Sequence, residues 1–320
     1  MLESQKKFFI QVKLLNEQLE KLRSLSIFLG TSSWKYPGWT GLVYKKPFSS
    51  EKLFKEECLK EYSEQFFMVG VDHTYYAFPT QSQMERYFNQ TPDTFRFVLK
   101  ATEESTVLKF PKLPRYGKNS GKTNPHFLNP NLFLEKFLEP AKALKNKLGP
   151  IIFEFSRFRH DSFQRGRDFV DQLDPFLGEL RKSTSVPLAV EIRNKNWLVS
   201  DYFEVLTKHK TAHVFNSWTE MPLIESQMAL STPYQLPFSV VRLLLNPGTT
   251  YQSAVNAYSP YNKLHQEHVE IRNSTAKLIE LAIEQKKEAY ILVNNRFEGC
   301  APKTIQGILT LIHLLNLHGD

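Results

Sequence analysis

The chain has 320 residues, of which 41% are hydrophobic and 23% are charged, a composition typical of a globular protein with a substantial core. Lys and Arg exceed Asp and Glu by 41 to 33, and the formal net charge of +8 favours an anionic partner such as a phosphate compound or nucleic acid. Only two cysteines, Cys58 and Cys300, are present, which excludes a disulfide framework and a CxxC metal site.

The first 25 residues are predicted to form an amphipathic helix that packs on the rest of the protein. Phe8, Val12, Leu15, Leu19 and Leu22 recur at helical spacing. The segment is too charged for a signal peptide, and no apolar run in the chain reaches the length of a membrane span. We therefore expect a cytoplasmic protein that does not enter a membrane.

Eight short apolar runs, each followed by polar or charged residues, are predicted to be β-strands. The runs are Ile27–Gly30, Met68–Val71, Phe95–Leu99, Ile151–Phe155, Leu188–Ile192, His213–Phe215, Ser239–Val241 and Tyr290–Val293. Stretches with helical spacing lie between most of them, which indicates parallel βαβ units. The sequence therefore predicts a single (β/α)8 TIM-type barrel over residues 26–320, with its active site where the strands end.

Capping and turn residues predict the bounds of several helices between these strands. A helix is expected at Glu51–Phe66, and Thr80 is a plausible N-cap of the next one. A helix at Asn131–Lys147 is expected to stop at Gly149–Pro150. After the seventh strand, a Tyr-rich loop is expected to lead into a long helix at Lys263–Lys287.

Two basic loops follow the third and fourth strands. Residues 105–134 contain no acidic residue, and the segment Lys109–Lys122 carries five Lys or Arg side chains. The second loop, Arg157–Arg167, carries four arginines and a histidine. Loops of this length in a compact domain are usually lids, binding loops or disordered segments. A non-catalytic nucleic-acid-binding protein would use these basic loops.

The charged residues just beyond the strand ends should converge on one face of the barrel. The predicted anion-binding cations are Lys100, Arg193, Arg242 and Arg296. Arg suits bidentate binding of phosphate or carboxylate, and since only Glu191 and Asp72 are expected nearby, we expect one cation to remain free for a ligand. Asp72 and Glu191 are the candidates for acid–base catalysis, with Glu154 inside the fourth strand as a weaker third.

Amide and aromatic side chains complete the predicted substrate-binding set. They are Trp34, Tyr75, Asn216, Trp218, Asn294 and Asn295. Aromatic rings beside a basic rim suit the stacking of nucleobases or sugar rings, although loop packing would also use them. The leading hypothesis is an enzyme, such as a hydrolase or lyase, that acts on an anionic, phosphate-bearing substrate.

Other interpretations of the same residues stay open. Arg193 with Glu191, and Arg242 with Asp72, could be structural ion pairs across the barrel mouth. Asp72 and Glu191 would serve a glycoside hydrolase if they faced each other. No metal site is expected, because His73 with these two carboxylates is too small a ligand set, and no cofactor or oligomeric state is predicted.

The segments at the strand ends resemble the YecE-like family, the domain of unknown function numbered seventy-two. The matching motifs are GTSSWKYPGWTGLVY at Gly30–Tyr44, DHTYYAFPT at Asp72–Thr80, TPDTFRFVLKA at Thr91–Ala101, EIRNKNW at Glu191–Trp197 and VNNRFEGCAPKT at Val293–Thr304. The resemblance covers nearly everything from Ser26 onward and implies a TIM-type barrel. The activity of the family is not established, so the resemblance implies no reaction.

Overall fold

The computed structural model describes residues 2–246 and 248–316, in which eight parallel strands form a closed barrel. The strands are β1 (Ile27–Thr31), β2 (Met68–Val71), β3 (Arg96–Lys100), β4 (Leu148–Phe155), β5 (Leu188–Ile192), β6 (Ala212–Asn216), β7 (Ser239–Leu243) and β8 (Ala289–Val293). Each strand pairs with the next one in the chain. The barrel closes where β8 pairs with β1, with Ile27 opposite Ala289 and Thr31 opposite Val293. The predicted (β/α)8 TIM-type barrel is confirmed.

Helices lie between the strands and precede the first of them. Those of eight or more described residues are α1 (Leu2–Ser24), α2 (Glu51–Ser63), α3 (Gln81–Asn89), α4 (Gly166–Ser183), α5 (Ser200–Lys208), α6 (Ile224–Ser231), α7 (Tyr251–Tyr258), α8 (Val269–Glu284) and α9 (Ala301–Leu309). The N-terminal helix α1 packs against β1 and buries Leu15, Leu19 and Leu22. The side chains of Phe8 and Val12 lie outside the described residues. None of the described helices is long and apolar enough to cross a bilayer.

The apolar core has two layers, because successive side chains of a strand point to opposite faces of the sheet. In β8, Tyr290 and Leu292 belong to the inner cluster that fills the barrel. Each of the remaining seven strands contributes one or two residues to the same cluster. Ile291 and Val293 belong to the outer cluster between the strands and the helices. The inner face of each strand can therefore be followed residue by residue to its carboxyl end.

This two-residue period places polar side chains in the top layer of the barrel interior. The inner positions that follow the apolar ones are Ser32, Asp72, Lys100, Glu154, Glu191, Asn216, Arg242 and Asn294. Each of them is either inside one of the eight strands or directly after its last residue. The polar residues of the top layer thus lie directly above the apolar residues that fill the barrel. Seven of the eight are buried or nearly so, and Asp72 is the exception.

The predicted helix ends before Gly149–Pro150, as expected, but these two residues belong to β4. The preceding segment, residues 130–147, is a continuous run of α, π and 3-10 helical turns that kinks at Lys145, whose φ of 50° is not helical. Proline is tolerated in a strand where the ladder is irregular. The pairing of β3 with β4 shifts register at this point, between Phe97 opposite Leu148 and Leu99 opposite Ile151.

The connection from β7 to β8 also differs from the prediction. The Tyr-rich segment forms the helix α7, with the Thr250 hydroxyl accepting from the Ser253 N–H at its start. The following helix α8 begins at Val269 and not at Lys263. The backbone N–H of His265 donates to the carbonyl of Glu298, and the carboxylate of Glu298 accepts from the N–H of His268. These hydrogen bonds hold the preceding segment in a non-helical path.

The basic segment after β3 is ordered and anchored to the barrel. Residues Lys109 and Thr123 form an antiparallel bridge, and Phe110 is 5% exposed. Arg115 and the hydroxyl of Tyr116 both donate to the carboxylate of Glu103, at 2.9 and 2.8 Å. Of the three interpretations given above for such a loop, a lid and a binding loop remain, whereas a disordered segment does not agree with these contacts.

The outward-facing His213 of β6 is a buried base that makes stability depend on pH. Its Nδ1 lies 2.9 Å from the hydroxyl of Tyr202, and its Nε2 lies 3.4 Å from Oε1 of Gln227. Burial lowers the pKa of His213 to about 4, although the Gln227 hydrogen bond raises it. The unfolded chain, with a His pKa of 6.5, therefore binds the proton more readily than the folded protein does.

We expect the free energy of unfolding to be highest above pH 6.5 and to fall as the pH drops toward 4, because protonation favours the unfolded chain. For His213 alone the loss corresponds to about 3 kcal/mol. Urea unfolding at pH 7 and pH 4 should show a smaller pH-dependent loss in His213→Phe than in the natural protein. His160→Phe, at an exposed position, is the matched control. An equal loss in His213→Phe and the natural protein would contradict the prediction.

Candidate functional site

The carboxyl ends of the strands surround a group of six charged side chains, which we call the buried charge cluster. Its members are Asp72, Lys100, Glu154, Glu191, Arg193 and Arg242. Five come from the polar top layer of the barrel interior, and Arg193 follows the end of β5. Unpaired charges cannot be buried at low cost, so the arrangement of partners decides what this cluster can do.

Arg242 bridges all three carboxylates of the cluster. Its Nη1 donates to Glu154 Oε2 at 2.8 Å and also to Glu191 Oε2, and its Nη2 lies 3.3 Å from Asp72 Oδ1. Burial lowers the pKa of Arg242, but the carboxylates, Glu191 first, outweigh burial and raise that pKa above its usual range. The guanidinium is therefore permanently charged and held between the carboxylates.

Glu154 accepts from three cations of the cluster. Lys100 Nζ lies 2.5 Å from its Oε2, and Arg193 Nη2 lies 3.0 Å from its Oε1. Burial raises the pKa of Glu154, but Arg193, Lys100 and Arg242 together hold it below its usual range. Burial lowers the pKa of Lys100, and the nearby Glu154 opposes that change. The position of Glu154, named only as a weaker candidate, follows from its two-residue spacing after the inner residue Ile152.

The charges of the cluster balance, because three cations face three carboxylates. Both ion pairs of the structural interpretation are present: Arg193 contacts Glu191 at 3.1 Å, and Arg242 contacts Asp72. Arg193 and Arg242 are thus neutralised by the cluster itself. Its carboxylates differ in access, since the Asp72 side chain is 34% exposed while those of Glu154 and Glu191 are 4% and 0% exposed.

Asp72 borders a small space in the top layer of the barrel. The space has a volume of about 10 Å³, lined in part by Ser32, Asp72, Lys100 and Arg242, which is room for about one water molecule. The hydroxyl oxygen of Ser32 is buried and has no hydrogen-bond partner among the described residues. A small polar molecule between Ser32 and Asp72 would satisfy this hydroxyl.

Arg296 does not join the buried charge cluster. Its guanidinium lies over the ring of Tyr251, with 4.5 Å between the central carbon and the ring centroid, and no carboxylate of the described residues lies within ion-pair distance. Its Nε is buried without a hydrogen-bond partner among those residues. The charge of Arg296 also acts on the hydroxyl of Tyr36. Burial raises the pKa of this hydroxyl to about 12, Arg296 lowers it and Asp72 raises it further. Arg296 therefore lies apart from the other predicted cations, beside Tyr251 and Tyr261, and has no carboxylate partner among the described residues.

Two of the three predicted aromatic side chains support cations of the cluster. Lys100 Nζ lies 3.8 Å from the ring centroid of Tyr75, and the Arg193 guanidinium lies 3.8 Å from that of Trp218. These distances suit cation–π interactions. Trp34 is instead 2% exposed, belongs to the outer core and meets Tyr87 edge to face. Its ring has no face open to a ligand at the mouth.

The three predicted amides bind the backbone. Asn216 is fully buried, donates to the carbonyl of Ile192 and accepts from the N–H of Trp218, each at 3.3 Å. Asn294 Oδ1 accepts from the N–H of Arg296 at 3.0 Å, and Asn295 Oδ1 accepts from the N–H of Ala301 at 2.8 Å. These side chains shape the loops that carry the cations.

A cavity of about 970 Å³, here called the basic cavity, opens between the loops after β4 and β5. Its charged lining residues are Arg157, Arg159, Arg165, Arg193, Lys195 and Glu220. Arg157 pairs with Glu220, and Arg165 pairs with Asp168. Within the described part of the chain, Arg159 and Lys195 have no carboxylate at ion-pair distance. The cavity therefore carries an excess of positive charge.

The floor of the basic cavity is preorganised by one amide and an aromatic stack. The Asn194 amide accepts from the Phe158 N–H at 2.9 Å and donates to the Phe158 carbonyl at 3.0 Å. The Phe158 ring stacks on Trp197, with 5.5 Å between centroids. Lys195, in the short turn after β5, is not among the site residues predicted from the sequence. The signal that could have found it is the run of charged and amide residues in EIRNKNW.

The described residues offer no ready site for a metal ion. No three His, Cys, Asp or Glu side chains in residues 2–246 and 248–316 are placed to share one. His73, the histidine next to Asp72 in sequence, has its Nε2 3.0 Å from the amide nitrogen of Gln83. Cys58 and Cys300 are both buried free thiols. Burial raises the pKa of each, to about 11 for Cys58, so neither is an activated nucleophile.

The comparison with protein families finds one match over nearly the whole chain. A model described as "Protein of unknown function DUF72" matches residues 28–318. The UPF0759 protein YunF of Bacillus subtilis is 24% identical over 178 residues, or 56% of this chain and 54% of YunF. The chain thus spans about half the length of this curated relative.

Solved structures with a similar fold carry the same family description. A DUF72 family protein from Thermotoga maritima has a TM-score of 0.57 and 21% identity, with 91% of this chain and 99% of that chain covered. A DUF72 family protein from Enterococcus faecalis has a TM-score of 0.56 and 18% identity, with 92% and 97% covered. At these identities the similarity supports the barrel fold.

Proposed function

The chain belongs to the DUF72 family of proteins of unknown function, and we propose that it is a cytoplasmic enzyme acting on an anionic, phosphate-bearing substrate at the carboxyl face of its barrel. The observation that carries the proposal is the basic cavity, where Arg159 and Lys195 lack carboxylate partners among the described residues. Phosphate is the ligand for which such a group of guanidinium and ammonium donors is best suited.

Arg193 connects the basic cavity to the buried charge cluster. Its guanidinium lines the cavity and at the same time contacts Glu154 and Glu191. These carboxylates fix the position of Arg193, and Trp218 packs against its face. A phosphate held by Arg159 and Lys195 can therefore approach the guanidinium of Arg193, which does not have to change its position. Charged groups that are fixed in advance in this way favour the binding of a charged transition state.

Among the cluster's carboxylates, Asp72 is the one suited to acid–base work. It is partly exposed, whereas Glu191 is fully buried and held by two arginines. Asp72 also borders the small space beside Ser32 that has room for one water molecule. In this proposal Asp72 takes a proton from water or substrate, and Glu191 and Glu154 position Arg193 and Arg242. The glycoside hydrolase interpretation loses support, because the Arg242 guanidinium lies between Asp72 and Glu191.

Phosphate compounds should raise the melting temperature of the protein, because they bind the folded state. A ligand at one hundred times its dissociation constant stabilises by about 2.7 kcal/mol. Thermal unfolding with phosphate, pyrophosphate and ribose 5-phosphate at constant ionic strength should show this rise. The double variant Arg159→Gln/Lys195→Gln should lose most of it, since it removes the two cations of the cavity that have no carboxylate partner.

The matched control for that experiment is Lys52→Gln/Lys118→Gln, which removes the same charge at exposed positions outside the cavity. It should respond to phosphate as the natural protein does. An equal response of all three proteins would mean that the ions act on the general surface, and the proposed phosphate site would be wrong.

The alternative function is nucleic-acid binding by the basic loops. Variants that remove positive charge from these loops distinguish it from the proposed function. In that case, single- or double-stranded nucleic acid should bind with a steep salt dependence. Replacing lysines of the Lys109–Lys122 loop should then reduce the salt slope by about one for each phosphate group that is no longer neutralised. Under the proposed function the same replacements leave the response to ribose 5-phosphate unchanged.

A further inference from the structure

A second cavity adjoins the basic cavity and shares part of its wall. This loop cavity has a volume of about 610 Å³ and lies between the basic segment after β3 and the loop after β4. Arg157, Phe158 and Arg159 line both cavities. A single ligand can therefore occupy both cavities at once, with its middle part beside the side chains of these three residues.

Four aromatic rings line the loop cavity, and one of them, that of Phe158, is shared with the basic cavity. They belong to Tyr75, Phe110, Tyr116 and Phe158. Tyr75 and Phe110 are 7% and 5% exposed, and the Phe110 and Tyr116 rings lie 5.3 Å apart at an angle of 39°. Rigid aromatic walls of this kind bind planar rings by stacking.

The position of Tyr116 is fixed before any ligand binds. Its hydroxyl donates to the carboxylate of Glu103, and the guanidinium of Arg115 lies 4.5 Å from its ring centroid. Glu103 itself is 8% exposed, at the start of the short helix Glu103–Thr106. The aromatic wall therefore does not have to be ordered at the time of binding, which reduces the entropic cost of recognition.

The loop cavity also has a buried polar group without a partner. Thr106, which lines the cavity, is 1% exposed, and its Oγ1 has no hydrogen-bond partner among the described residues. A buried hydroxyl in this state is destabilising, because it has given up its hydrogen bonds to water. A purely apolar ligand would leave it unsatisfied, whereas a ring with nitrogen or oxygen atoms at its edge can bond to it.

We propose that the phosphate-bearing substrate is a nucleotide, with its base in the loop cavity and its phosphate in the basic cavity. The inference rests on the proposed function, since it assigns the phosphate to Arg159 and Lys195. The base stacks between the aromatic side chains, and its polar edge bonds to Thr106. Arg157 and Arg159, at the border of the two cavities, lie beside the sugar and phosphate.

Isothermal titration with adenosine 5′-monophosphate, uridine 5′-monophosphate and ribose 5-phosphate tests this assignment, because the three compounds share the phosphate and the sugar. A stacked base contributes about fivefold to 150-fold in affinity. We expect at least one nucleotide to bind at least about fivefold more tightly than ribose 5-phosphate. Tyr116→Leu should remove most of that difference while leaving the affinity for ribose 5-phosphate unchanged.

Two further variants show where the base binds. Thr106→Val, which keeps the size of the side chain and removes the hydroxyl, should also weaken nucleotide binding and spare ribose 5-phosphate. Tyr234→Leu is the matched control: this tyrosine is half-buried against Phe203 and lines neither cavity. It should retain the full preference for the nucleotide. Circular dichroism of each variant establishes that it is folded.

The outcomes separate the two proposals. Equal affinity for ribose 5-phosphate and both nucleotides would overturn the base site and leave the phosphate site standing. A preference for a nucleotide that survives both Tyr116→Leu and Thr106→Val would overturn the loop cavity as the place where the base binds. Absence of binding by all three compounds would overturn the nucleotide assignment together with the proposed function.

Discussion

Arg242→Met is expected to lower the free energy of unfolding by about 3–5 kcal/mol, because it leaves buried carboxylates without their central partner. In the natural protein the Arg242 guanidinium contacts Glu154, Glu191 and Asp72, and its side chain is 4% exposed. Methionine fills a similar volume, so the cost is mainly that of uncompensated charge. Urea unfolding at pH 7 measures it.

Arg157→Met is the matched control for this variant. Arg157 also pairs with a glutamate, Glu220, but its side chain is 62% exposed. Pairs at the surface contribute about 0–1 kcal/mol, so the control should change little. The double variant Arg242→Met/Glu191→Gln should recover part of the loss, because it removes one of the unpaired charges. A loss below about 1 kcal/mol in Arg242→Met would contradict the inference that the cluster depends on charge balance.

Asp72→Asn is expected to reduce turnover by about 10²–10⁴-fold, the usual contribution of a positioned general acid or base. The measurement uses a phosphate ester that raises the melting temperature, and its consumption is followed by phosphorus NMR. Because the Asp72 side chain is 34% exposed and the amide oxygen of asparagine can still accept from Arg242, the replacement should change the free energy of unfolding much less than Arg242→Met does.

Loss of turnover without loss of stability separates catalysis from a structural ion pair. Asp171→Asn is the matched control, since Asp171 also pairs with an arginine, Arg167, at 2.8 Å, but on the surface of α4. It should have full activity. An Asp72→Asn protein that turns over substrate at the natural rate would exclude Asp72 as the acid–base group and return the role to Glu191.

The strands of the barrel could be predicted because their signal is local. Each strand is a short apolar run bounded by polar residues, and eight such runs with helical spacing between them favour one architecture. The bounds of the helices depend on more than local sequence. Gly149–Pro150 predicts a stop, yet a shift of register between β3 and β4 accommodates both residues in a strand. The start of α8 depends on Glu298, which binds the N–H of His268 from 30 positions away.

The members of the candidate site could be predicted as a set, but their partners could not. Strand-end positions identify Asp72, Glu191 and Arg242, and the alternation of inner and outer residues also identifies Glu154. Whether a cation at such a position is paired depends on the side chains that other strands bring to it. Thus Arg242 is neutralised by carboxylates that lie 51 to 170 residues away in sequence, while Arg296 stacks on Tyr251.

The sequence by itself determined the barrel, the face on which the candidate site residues gather and the excess of positive charge in the loops there. Only the tertiary structure decided which cations are available to a ligand, since burial forces most of those in the top layer to pair with carboxylates. It also decided where the open space lies, beside Arg159 and Lys195 and under the aromatic side chains of the segment after β3. Local patterns specify strands and helices, whereas charge pairing and cavities arise from groups distant in the chain.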